Sequence, residues 1–120
     1  MAGFDQYHEP PEELSQEIRD FARIIASLIE EAEAINWYQQ RISVTKDPEV
    51  RKIMEHAQRE EFEHFAIDLE WLTRKLPEWR NVLKEILFKE GDIIENAEEF
   101  EKKELESYLL KGSKIQNYKL

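Results

Sequence analysis

The chain has 120 residues, which suits one small domain, and it contains no cysteine, which excludes disulfides and thiolate metal sites. Its formal net charge is −10, from 27 acidic against 17 basic residues; this argues against nucleic acid, whose phosphates would be repelled, and suits cationic partners, while an acid excess also simply keeps a helical protein soluble. No apolar run is long enough for a membrane span, and "MAGFDQYHEP" has no apolar signal segment, so the expected compartment is the cytoplasm.

Residues 1–10 read as a flexible arm. Pro10 and Pro11 then favour a helix start, with Glu12 and Glu13 in the first turn. Leu14, Ile18, Phe21, Ile25, Leu28, Ala32 and Ile35 follow in steps of four and three, a heptad seam. A helix from Pro11 to about Val44 is therefore expected, roughly 50 Å long at about 1.5 Å per residue. Asp47 and Pro48 in "TKDPEV" cap and open a second helix, expected to reach about Lys75. Its apolar set includes Val50, Ile53, Met54, Ala57, Phe65, Leu69 and Leu72, with Trp71 nearby. The short link makes the two an antiparallel hairpin. Pro77 opens a shorter helix, "PEWRNVLKEILF", which Gly91 should stop, and Asp92 should cap a last charged stretch, "DIIENAEEFEKKELESYLL". The tail "KGSKIQNYKL" has no clear period. The fold class is all-α. A helical hairpin cannot bury both faces alone, so self-association is expected.

The acids are not spread evenly around these helices. Glu31 shares a heptad column with Ile24 and Tyr38 and so points toward the seam. Glu30, Glu33 and Trp37 lie on a neighbouring face. On the second helix, Glu61 and His64 are three apart and share a face. His56, Glu60 and Glu63 are spaced four and three and point elsewhere. Burying Glu31 and Glu61 as bare anions would cost several kcal/mol each, and no Lys or Arg lies on the same faces to pair with them. Iron would repair this: Glu-x-x-His on one helix with a Glu from a facing helix is half of a di-iron carboxylate site. The rest would come from a second copy across a two-fold axis, giving Glu31, Glu61 and His64 from both subunits around two irons. Tyr38 would hydrogen-bond a ligand carboxylate. Taken on its own, "EEFEH" fits a solvated acidic face better than a metal site; Glu31 on the seam and the lack of cationic partners bring the metal reading level with it.

"HEP", "EEAEAINWYQQR", "DPE", "EEFEHFAIDLEWL" and "LFKEG", in this order over roughly residues 8–95, resemble the encapsulated ferritins. The resemblance implies a ferritin-like domain over 11–95, a two-helix hairpin with shorter C-terminal helices that completes a four-helix bundle by dimerising. It implies dimers joined in a decameric ring, carried as cargo inside an encapsulin nanocompartment. It implies ferroxidase ligands at Glu31, Glu61 and His64, supported by Tyr38, with an iron entry site at Glu30, Glu33 and Trp37. His56, Glu60 and Glu63 look like a peripheral site for calcium or another divalent cation. Residues 96–120 would hold a last helix and a shell-targeting segment, although "LLKGSKIQNYKL" is only loosely similar to the Gly/Ser-and-aliphatic peptide of the family. Two rivals differ in class: a rubrerythrin-like peroxidase, disfavoured by the absence of a Cys-rich module, and a metal-free acidic scaffold that oligomerises through its seams.

Overall fold

The computed structural model describes the backbone of residues 6–119 and side chains through residue 111. Residues 1–5 of the expected arm, and the side chains of most of the expected shell-targeting segment, lie outside the described residues. The described chain is all-helical: a 3-10 turn over Pro11–Glu13, then α1 (Gln16–Val44), α2 (Pro48–Lys75), α3 (Pro77–Ile86) and α4 (Ile93–Lys119). No described helix is long and apolar enough to cross a membrane. The chain divides into two compact units, residues 1–75 and 76–120.

The first unit is the α1–α2 hairpin. Its first helix begins five residues later than Pro11 suggested. The prolines form the 3-10 turn instead, and Ser15, extended at ψ 162°, is the true cap: its Oγ accepts from Ile18 N at 3.2 Å. Arg19 folds back to donate to the Pro11 carbonyl, fastening the turn to the helix. The 29 residues of α1 span about 44 Å. Thr45 ends the helix in extended geometry. Asp47 starts α2 by accepting from Glu49 N at 2.8 Å and Val50 N at 3.3 Å. A polar side chain of α2 is buried against α1. Gln58, 7% exposed, donates from Nε2 to the Ile35 carbonyl at 3.2 Å and to Gln39 Oε1 at 3.0 Å.

The interior is thin. Among the described residues the fully or nearly fully buried apolar side chains are Leu72 and Ile42. Ile18, Ala32, Val50 and Ile53, all expected in the seams, are exposed. A two-helix hairpin has one contact stripe, and residues a turn's fraction away from it stay outside.

The second unit pairs α3 with α4. Ile86 is the last residue of α3, and the link to α4 contains two left-handed residues, Phe88 (φ 62°) and Gly91 (φ 95°). Gly91 adopts this freely, whereas Phe88 does so with its side chain 100% exposed. Asp92 caps α4 by accepting from Glu95 N at 2.9 Å, and Asn96 donates to the Glu90 carbonyl at 3.0 Å. The last helix is longer than the sequence pattern suggests, 27 residues running through Gly112 into the tail. No proline interrupts it, and Glu, Lys and Leu propagate it.

Candidate metal centre

All the candidate residues lie in the first unit. Glu31 comes from α1, and Glu61, His64 and Asp68 from one stripe of α2 at steps of three and four. The antiparallel hairpin brings Glu31 across to this stripe. Glu31 is partly buried, and one of its oxygens, Oε2, is sealed from solvent with no hydrogen-bond partner; Asp68 Oδ2 is in the same state. The Glu31 carboxyl is pushed up from 4.5 to about 7. Burial is the largest cause, followed by a side-chain hydrogen bond with Asp68 and then by the charges of Asp68, Glu61 and Glu30. Two carboxylates have no proton to share, so this bond exists only while one of them is protonated.

His64 Nδ1 lies 3.9 Å from Glu61 Oε2. The Glu61 side chain is 23% exposed and that of His64 is 53% exposed, so the imidazole stands at the outer margin of the group. Tyr38 is partly buried two turns beyond Glu31, with the Arg41 guanidinium 5.3 Å from its ring centroid. Glu30 and Trp37 are exposed and Glu33 partly so. Only Glu30 of these three is among the charges that act on Glu31. His56 and Glu60 form a separate solvent-facing pair, 3.6 Å apart. The His56 surface groove also carries Lys52, which opposes a cation there, and Glu63 lines another groove with Ile67, Trp71 and Arg74.

Asp68 is the residue that the Glu-x-x-His pattern overlooks. The signal is present in the sequence: it follows His64 by four and Glu61 by seven, on the same stripe. Among the described residues no three His, Asp or Glu side chains converge closely enough in one chain to hold a metal ion. A single chain thus carries Glu31, Glu61, His64 and Asp68 on facing stripes without closing them into a metal site. The residue chemistry fits a hard or borderline divalent cation: carboxyl oxygens with one imidazole, and buried carboxyl oxygens to which no Lys or Arg donates.

Comparison with known proteins gives a consistent result. The profile of the family described as EncFtn-like matches residues 6–90, the segment that contains every candidate site residue. A "Ferritin-like protein" of Thermotoga maritima is 53% identical over 95 residues, covering 79% of this chain and 83% of that protein. An "Encapsulated ferritin-like protein" of Rhodospirillum rubrum is 45% identical over 86 residues, covering 72% of this chain and 61% of its own length. Among solved structures, the crystal structure of protein ne0167 from Nitrosomonas europaea superposes with a TM-score of 0.69 at 46% identity, over 74% of this chain and 99% of that one.

Proposed function

The chain belongs to the EncFtn-like family of ferritin-like proteins, with an iron-related function, and from this premise we propose that it is a ferroxidase, oxidising Fe²⁺ to Fe³⁺ with O₂ at a di-iron site shared by two copies. The observation that carries the reading is the buried Glu31 oxygen to which no other residue donates, on a carboxyl that feels the charge of Glu61 from the facing helix. Burying such groups is costly unless a counter-charge arrives.

In this reading Fe²⁺ is the substrate. Glu31 gives up its proton as the cation binds, because the cation's charge replaces the proton's. Glu61 and His64 supply the oxygen and nitrogen donors from the facing helix. Two Fe²⁺ each lose one electron, one O₂ takes up both electrons and two protons to leave as hydrogen peroxide, and the surrounding carboxylates would offset the rise in metal charge. Tyr38 supports a ligand carboxylate. The exposed acids Glu30 and Glu33, beside Trp37, draw hydrated cations toward the site. Because one chain holds half the donors, a second copy supplies another Glu31, Glu61 and His64, and a decameric ring of such dimers is the assembly we propose. The iron then mineralises inside an encapsulin shell in the cytoplasm. The name of the Rhodospirillum relative supports the encapsulated setting. His56, Glu60 and Glu63 form the weaker peripheral cation site.

The test is aerobic Fe²⁺ oxidation by Glu31→Ala, Glu61→Ala and His64→Ala. Each substitution should abolish most of the activity; unchanged rates in all three would refute the assignment. The competing metal-free scaffold draws on the incomplete donor set of a single chain. Metal content after purification separates the two, since a scaffold holds no stoichiometric iron.

A further inference from the structure

Asp68 lies outside the Glu-x-x-His pattern, yet it is the residue whose carboxyl group meets that of Glu31 across the α1–α2 interface. Glu31 Oε2 and Asp68 Oδ2 are both closed off from solvent, and no N–H or O–H of another residue donates to either; a hydrogen bond between the two carboxyls themselves needs a shared proton. Facing carboxylates in this condition lose hydration and repel each other. Lys or Arg would relieve them, but no basic side chain reaches these two oxygens. A shared proton relieves them only by removing one of the charges. A divalent cation relieves both and leaves both anionic.

We propose that Asp68 is a further donor of the metal centre, binding the cation together with Glu31. This rests on the reading of Glu31, Glu61 and His64 as metal-binding residues. Each chain then brings three carboxylates and one imidazole, and a pair of chains carries two more negative charges than the Glu-x-x-His pattern alone provides. Such a site favours hard divalent cations over softer ones.

The experiment titrates Co²⁺ into the full-length wild type, Asp68→Asn and Glu31→Gln, following heat and the visible d–d absorption. Asparagine keeps the size of the side chain, and its amide can donate to Glu31, so a role confined to holding Glu31 in place survives this substitution. If Asp68 is a donor, Asp68→Asn weakens Co²⁺ binding roughly 10- to 100-fold and alters the absorption band. Wild-type affinity and an unchanged band in Asp68→Asn, with binding lost in Glu31→Gln, would overturn the proposal and leave the metal centre standing. Wild-type binding by both variants would instead remove the metal centre itself. If Asp68→Asn does not fold, Asp68→Ser gives the same readings against the same two outcomes.

Discussion

Gln58 Nε2 donates to the Ile35 carbonyl at 3.2 Å, one turn from Glu61 on α2 and one turn from Glu31 on α1. The hydrogen bond pins the register of the two helices beside the place where the carboxylates meet. A slide of one helix along the other would break it and separate Glu31 from Glu61.

Replacing Gln58 by Leu should therefore act on both stability and the site. The lost hydrogen bonds, with Gln39 Oε1 left without its donor, should lower unfolding stability by about 1–3 kcal/mol. Urea unfolding at fixed protein concentration measures the first effect, and Co²⁺ affinity measures the second, which should also fall. An unchanged affinity would show that the register does not depend on this pin.

Glu31 makes stability depend on pH in a defined direction. Its folded value of about 7 lies above the ordinary 4.5, so the metal-free native state holds the proton more tightly than the unfolded chain. The contribution to stability is fully present below about pH 4.5 and is lost as pH rises toward 7. Glu31→Gln removes this loss. Its stability relative to wild type should thus rise between pH 4.5 and 7, by at most about 3 kcal/mol, less what solvent takes from a partly exposed group. Paired denaturant curves across this range check it, and a constant offset would contradict it.

Cation affinity should run the other way. Metal and proton compete for Glu31, so affinity should fall as pH drops below about 7. Calorimetric titration in buffers of different ionisation heat should also show proton release near neutral pH. Absence of both would argue that cations bind elsewhere.

Chelation should couple to assembly. If two chains share each centre, removing the cation should lower both the oligomer mass and the melting temperature, and re-addition should restore them. Sedimentation with and without EDTA reads the first. A mass independent of metal would mean that apolar faces alone hold the assembly.

Much of the hairpin was legible in the sequence. Asp47 and Pro48 mark the start of α2 and Pro77 that of α3 because each supplies a cap or a fixed φ that the backbone needs there. Pro11 misled, since Ser15 four residues on is the better cap and the prolines were free to form a 3-10 turn. Glu31 and Glu61 were legible as a facing pair because they interrupt apolar columns. The place of Asp68 on the Glu61–His64 stripe was legible too, but its contact with Glu31 was not, because that depends on how the helices cross. Gln58 gave no sign in composition or period; its burial follows from register alone. The exposure of Ile53 and Ile18 was equally hidden, since a heptad identifies a stripe but not how many partners cover it.

So shallow an interior has a calorimetric consequence. The heat-capacity step on melting follows the apolar surface that unfolding newly hydrates, about 12–15 cal/mol/K per residue in ordinary globular domains. With Leu72 and Ile42 as its described buried apolar side chains, a single chain should show a much smaller step and a broad, shallow transition. The remainder should surface as a negative heat-capacity change when copies associate, so that scanning calorimetry and dilution calorimetry together recover what neither records alone.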